Sequence, residues 1–386
     1  MPDRTAEHAR FAPSGLGIYG PGGCPASVRL QAEQPPQEET DESREGTAAH
    51  WLLAQTLLKL PVPDGAIAPN GVPIDAEMRE AIKEMVVDFN DTAAAQKGTW
   101  YYNIETRVAA PLTIHPDFWG TPDLFAINWA TRRLYVWDFK YGHRFVDVLR
   151  NWQLIGYALC IAETEGIADL ADWVVVFTIA QPRWYGRDEL GGTLRTWVAN
   201  GADVAGQLFQ ELRAAVWAAD KPDAPCSTGE NCRYCTAIWD CEASRRAGGA
   251  SVDLIMGAQS ANMNAQAIGV ELLTLNRAAE RVKARLSALE EKATALIFQG
   301  QDVAFHKLEN GQSRTVWDKT KIDAAALTLH VYGVDVRPGV ALPTPREAMK
   351  KGIDAAVIKP YVTTTPAAKK LVAATSHGAE KTLGRR

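Results

Sequence analysis

Apolar positions recur at helical spacing in the first hundred residues, then switch to the alternation of strands. Ala48 to Leu60 reads as a buried helix, ended by Pro61 and Pro63. A second helix starts near Asp75, a suitable N-cap, and sets Met78, Ile82, Met85, Val86 and Phe89 on one face. Trp100 to Ala109 then alternates, Phe125 to Trp129 is apolar, and Arg133 to Lys140 is aromatic and β-branched, with Ala130 to Arg132 as a hairpin turn. A helix is predicted from Asp147 to Ala162, a central strand over Trp173–Ala180, a strand over Thr193–Val198 and a helix over Ala202–Ala219. Helix, three strands, helix, strand is the order of an α/β fold: a mixed central sheet flanked by helices.

The ends are less regular. Gly15 to Gly23 holds five glycines, and Gln34 to Arg44 is polar and acidic with Pro35-Pro36, so a mobile loop is expected there. After a Pro- and Cys-rich segment, Pro222 to Cys241, Asn264 to Gln299 reads as one long charged helix. Two short strands follow, around Val303–Leu308 and Arg314–Trp317, and then a polar tail. A boundary near residue 250 divides a domain over 1–250 from a mostly helical C-terminal extension over 251–386, without internal repeats.

Composition adds little until charge is mapped along the chain. With 386 residues, 46% hydrophobic and 23% charged, this is an ordinary globular composition. Neither a signal peptide nor an apolar run of about 20 residues is visible, so the expectation is a cytoplasmic protein with no membrane span, whose cysteines bind metals or stay free. The net charge is −5, but Arg346 to Arg386 carries nine Lys/Arg against three Asp/Glu. A basic tail of +6 suits a polyanion, and a solvated terminus is the alternative.

The chemistry concentrates in Gly120-Thr121-Pro122-Asp123 and Asp138-Phe139-Lys140. Side chains alternate along a strand, so Asp138 and Lys140 emerge on one face, with Asp123 at the start of the partner strand. Two carboxylates suit Mg²⁺ or Mn²⁺, and a nearby ammonium steadies a phosphate or a water. Gln153 and Tyr157, four apart, share a helix face. This order, with Gly46-Thr47-Ala48-Ala49-His50 upstream and Gln153-Leu154-Ile155-Gly156-Tyr157 downstream, resembles the RecB-type branch of the PD-(D/E)XK nucleases. The resemblance covers about residues 20 to 245. It implies a restriction-endonuclease-like fold in which His50, Asp123 and Asp138 ligate the metal with the carbonyl of Phe139. Lys140 then orients or activates water, and Gln153 and Tyr157 contact substrate or brace the site. Glu105 is placed one layer further out, a solvent-facing strand glutamate being the alternative. Trp119, Trp129, Trp137 and Trp152 either stack bases or fill the core.

Cys232-Arg-Tyr-Cys235-Thr-Ala-Ile-Trp-Asp-Cys241 offers three thiolates to one centre, and a fourth must come from elsewhere; Cys24, followed by Pro25, is the donor expected. One distant cysteine plus three near the end of the core is similar to the iron–sulfur nucleases of the AddB and CRISPR-adaptation type, which implies a 4Fe–4S cluster clamping the two ends of the domain. Zinc is the rival, although its usual paired knuckles or histidines are missing. Cys226 is a spare that could replace one ligand, and Cys160 reads as a small buried hydrophobe. The function implied is a DNA exonuclease, on single- or double-stranded DNA, working with phage recombination or replication proteins. The alternative is a non-catalytic nucleic-acid-binding or scaffold protein on the same core.

Overall fold

The computed structural model describes residues 9–35, 39–184, 192–256, 264–310, 314–318, 321–334, 342–365 and 369–373. They divide into two compact units, Met1–Arg285 and Leu286–Arg386.

In the first unit, short helices α1 (Leu16–Tyr19) and α2 (Ser27–Ala32) precede α3 (Asp41–Leu57). The start of α3 corrects the loop expected over Gln34–Arg44: the Thr40 hydroxyl caps the Ser43 amide at 3.1 Å, and Asp41 and Glu42 sit in the first turn, where acids favour a helix N-terminus. Asp75 caps the amide of Met78 at 2.9 Å, as expected, and starts α4 (Ala76–Ala81), followed by α5 (Lys83–Ala95). Strand β1 (Trp100–Ile104) ends sooner than the alternation suggested, because Glu105 adopts φ 47° and breaks the run before the two-residue pair β2 (Val108–Ala109) and β3 (Trp119–Gly120).

Next come β4 (Leu124–Asn128), β5 (Arg133–Phe139), α6 (Trp152–Thr164), β6 (Val174–Ala180) and β7 (Leu194–Asn200). Helix α6 begins later than Asp147 because Arg150 has φ 52°; Asn151 then caps Leu154 at 3.2 Å. The sheet runs β1-β4-β5-β6-β7, with β5 and β6 parallel and the other pairs antiparallel, so it is a mixed sheet. Helix α6 is the crossover that a parallel pair requires. A short α7 (Gly201–Asp203) passes through a π turn at Val204–Leu208 into α8 (Phe209–Asp220), and α9 (Glu242–Met256) and α10 (Ala265–Phe298) follow.

Alternation along the strands builds two cores. Phe125, Ile127, Leu134, Val136, Val175, Phe177 and Ile179 pack with α6 and α8 on one face. Leu124, Ala126, Tyr135, Trp137, Phe139 and Val176 pack with α3, α4 and α5 on the other. Each fully buried side chain of this size contributes ~1.5–3 kcal/mol, so the register is strongly specified. Trp137 belongs to this core: it stacks on Tyr135 and donates from Nε1 to Asp88 at 2.8 Å. Among the described residues no helix is long and apolar enough to cross a membrane.

The second unit corrects the polar tail. Strands β8 (His306–Asn310) and β9 (Arg314–Trp317) are followed by α11 (Ile322–Val331), α12 (Pro345–Lys350), α13 (Ala355–Ile358), β10 (Val362–Thr365) and β11 (Lys369–Ala373). Strand β10 pairs with β9, and β11 with β8. Leu329, Val334, Ala348, Ile353 and Ile358 form a small core against which Trp317 of β9 and Val362 of β10 pack. The described part of the basic stretch, 346–365 and 369–373, is therefore folded, and its last cations, Lys381, Arg385 and Arg386, lie outside the described residues.

Candidate functional site

One end of the sheet collects polar groups from both of its faces. Asp138 is the penultimate residue of β5 and Lys140 follows the strand, so both side chains point toward α6. Lys140 Nζ donates to Asp138 Oδ1 at 3.2 Å and to Gln153 Oε1 at 3.0 Å, and Gln153 Nε2 donates to the same Asp138 Oδ1 at 2.8 Å. A further hydrogen bond joins Gln153 to Tyr157, one turn along α6. Asp138 Oδ2 lies 2.9 Å from Nζ but accepts no hydrogen bond, and Asp138 is only 3% exposed. The Lys140 ammonium is the cation that serves this buried oxygen, so Asp138 and Lys140 form an ion pair braced by Gln153.

From the other face, His50 on α3 meets Asp123, the residue before β4: Nδ1 lies 2.9 Å from Oδ1. The second oxygen of Asp123 accepts from the Phe139 amide at 2.6 Å, which locks the carboxylate between two elements. Glu105 completes this side. Its amide donates to the Asp123 carbonyl at 3.1 Å, and its left-handed backbone turns the side chain toward the site. Ligand atoms of His50, Glu105 and Asp123 lie within 4.8 Å of one another. They open on a cleft of about 390 Å³ that Ser43, Gly46 and Thr47 of α3 also line.

Crowding sets the protonation of these groups. Burial opposes ionisation of Asp123, yet His50, the Phe139 amide and Lys140 hold its carboxyl below the usual range. Burial also disfavours a charged His50, but Asp123 outweighs it and lifts the imidazole to about 9. Burial, with repulsion from Asp123, raises Asp138 despite Lys140. Glu105 is pushed up to about 7 by desolvation and by the charge of Asp123. Two neighbouring carboxylates whose proton affinities are driven apart are a mark of functional sites.

All of the expected side chains therefore fall at one end of the sheet, in two groups. Asp138, Lys140, Gln153 and Tyr157 form one, and His50 and Asp123 form the other together with Glu105, which the pattern alone placed further out. Of the tryptophans, Trp119 lies under the Arg107 guanidinium at 3.4 Å, Trp129 packs edge-on to Trp173, and Trp152 is half-buried against the α6 core.

Gly120 shows why a glycine precedes Asp123 by three. A Cβ there would lie 2.9 Å from Tyr157 Cε1 and 2.9 Å from Pro13 Cδ. Gly120→Ala should cost ~1–3 kcal/mol by overpacking, read as a lowered melting temperature. An unchanged melting temperature would show that the Tyr157 ring has room to move.

The cysteines converge at a second place. Pairing joins residues 18–31 to 225–236: Ala26 donates to the Pro225 carbonyl at 3.3 Å, Ser227 Oγ to Gly23 at 2.6 Å, Asn231 to Ile18 at 3.4 Å and Thr236 to Gln31 at 3.3 Å. Cys24 accepts from the Ser227 amide at 3.4 Å, Cys232 from Gly229 at 3.4 Å, and Cys235 from the Ala237 amide. Burial and the neighbouring sulfurs push Cys235 and Cys226 up to about 11, and Cys226 hydrogen-bonds to Cys241. Cys226 is thus part of the group. Cys160 is fully buried within α6. Among the described residues no three of these sulfurs approach within 4.8 Å of one another.

Fold and side chains together define an α/β domain with a buried carboxylate, lysine and histidine cluster at the end of a mixed sheet. The chain belongs to the family described as a protein of unknown function (DUF2800), whose model matches residues 8–377. No curated protein matches it.

Proposed function

We propose that the chain is a metal-dependent DNA nuclease with a restriction-endonuclease-like core. The observation that carries the reading is the convergence of buried Asp138, paired with Lys140 and Gln153, on the end of the sheet that also holds the His50, Glu105 and Asp123 donor group. The donor set, carboxylate oxygens with one imidazole, fits Mg²⁺ or Mn²⁺, held by Asp123, Asp138, His50, Glu105 and the Phe139 carbonyl. When bound, such an ion polarises a phosphodiester and makes water acidic enough to attack it.

The chain's own residues supply the rest. Lys140 Nζ, directed by Gln153 Oε1 and Asp138 Oδ1, donates a hydrogen bond that would orient the attacking water or stabilise the charge developing on a phosphate oxygen. Tyr157, bonded to Gln153, limits its rotation. The Phe139 amide and His50 keep the Asp123 carboxylate from turning.

The proposal includes a 4Fe–4S cluster on Cys24, Cys232, Cys235 and Cys241. Amide N–H groups donate to three of these sulfurs, the contacts that cluster thiolates take, and a bound metal would offset the burial that otherwise raises Cys232 and Cys235.

The test is digestion of end-labelled single- and double-stranded DNA by anaerobically purified protein, with Mn²⁺ or with EDTA. Shortening of the label with Mn²⁺, stopped by EDTA, is expected. Tight binding of DNA without any shortening would favour a non-catalytic platform instead.

A further inference from the structure

Residues 141–151 connect β5 to α6 and so join Lys140 to the helix that carries Gln153. Their first half is held by one buried side chain. Gln181, 0% exposed, donates from Nε2 to the carbonyls of Gly142, at 2.9 Å, and Arg144. Its Oε1 accepts from the Val146 amide at 3.1 Å and from Arg195 at 2.7 Å. The Arg144 backbone is fixed in this way while its side chain is exposed. Its guanidinium stands 4.7 Å from the ring centroid of Tyr234, which is 53% exposed and lies between Cys232 and Cys235.

An exposed stack of arginine on tyrosine adds little to stability. As a receptor it is well suited to a nucleotide. Among the described residues no carboxylate pairs with Arg144, so its charge is available to a phosphate. The ring of Tyr234 offers a face to a base. Its position is also informative: four residues of extended chain reach at most about 14 Å from Lys140, within a few nucleotides along a strand. The site itself is crowded with Glu105, Asp123 and Asp138, which repel a polyanion, so cations beside it are needed to hold one.

We propose that Arg144 and Tyr234 form a stacking platform for an unpaired nucleotide of single-stranded DNA beside the cleavage site. The proposal rests on the nuclease reading and deepens it by naming the strand state of the substrate. Only unpaired bases expose both faces to an aromatic ring, whereas a duplex shows them at its ends alone. Because Tyr234 sits in the cysteine segment, the platform also ties that segment to substrate binding.

The experiment measures fluorescence anisotropy of a dye-labelled oligothymidylate and of a hairpin duplex, with Ca²⁺ in place of Mn²⁺, against the full-length protein; digestion by the parent is assayed in parallel. Tyr234→Ala should weaken single-strand binding about 5- to 100-fold and leave the duplex nearly unchanged, and Tyr234→Phe should recover the affinity. Arg144→Ala should weaken binding and flatten its logarithmic salt dependence by about 0.7, the loss of one phosphate contact on a single strand. Arg144 lies on a different loop from the cysteines, so that variant carries the test if Tyr234→Ala disturbs them. If Arg144→Ala binds the oligothymidylate with the parent's affinity and salt slope while the parent digests it, the platform is overturned and the nuclease reading stands. A parent that neither binds nor digests either DNA overturns both.

Discussion

Asp138→Asn should lose digestion by at least about 10³-fold while its melting temperature changes little. The first half follows from the proposed chemistry: a metal ligand worth several kcal/mol to the transition state is removed, at 1.36 kcal/mol per factor of ten. The second follows from the geometry. Asp138 is 3% exposed, close to a second carboxylate, and one of its oxygens accepts no hydrogen bond. It is also paired with Lys140 Nζ at 2.9 Å, so the amide gives up that ion pair but relieves the burial penalty and the repulsion from Asp123, while still facing Gln153 and Lys140. Lys140→Ala should be equally inactive but retain Mn²⁺ binding by calorimetry, because the ammonium competes with the ion instead of holding it. Full activity in Asp138→Asn would place the site elsewhere. A collapse in melting temperature would make the cluster a structural ion pair.

The parts of this site that were legible are those set by simple periodicity. Asp138 and Lys140, two apart, share a strand face, and Gln153 and Tyr157, four apart, share a helix face; β5 and α6 then bring the two pairs together. Glu105 was not legible in the same way. Its approach to Asp123 depends on φ 47° after β1, and nothing in an alternating pattern marks a residue that leaves it. The Gln181 brace was also invisible, since its partners are backbone atoms of a loop some forty residues earlier.

The fold shows the same division. Two-sided burial made β4, β5 and β6 readable as apolar runs. The start of α3 was hidden because Asp41 to Arg44 is polar, and its helical signal lies in the Thr40 cap and the acids after it, with no apolar periodicity to mark it. In the second unit β10 and β11 are short strands with Thr363, Thr364, Lys369 and Lys370 exposed, and each pairs with a strand far back in the chain. Pairing at such separation leaves no local trace.

Cys24→Ser should bleach an otherwise brown protein, lower its melting temperature on the order of 10 °C and reduce nuclease activity, although Cys24 touches no substrate. Cys24 and Cys232 are about two hundred residues apart in sequence yet adjoin in space, tied by hydrogen bonds such as Ser227 to Cys24. Those bonds are few and weak, and a thiolate cluster would turn the contact into a cross-link. Closing a loop of this length constrains the unfolded chain by up to about 5 kcal/mol, and a chain of this size shifts about 2–4 °C per kcal/mol. The stabilisation is spread over the whole core, because Leu16 and Pro13 of the same N-terminal segment pack against Gly156 of α6, which leaves no space for a Cβ. Losing the clamp therefore loosens the helix that carries Gln153. Cys160→Ser should keep its colour, being enclosed in α6 away from the other sulfurs. Cys226→Ser should keep it too, because Cys226 is exposed where Cys24 is buried and Cys232, Cys235 and Cys241 are half-buried. A colourless parent with one zinc and no iron after anaerobic purification would sink the iron–sulfur assignment and leave the nuclease assignment standing. Full colour in Cys24→Ser would transfer the fourth ligand to Cys226, and the N-terminal segment would then be held by its hydrogen bonds alone.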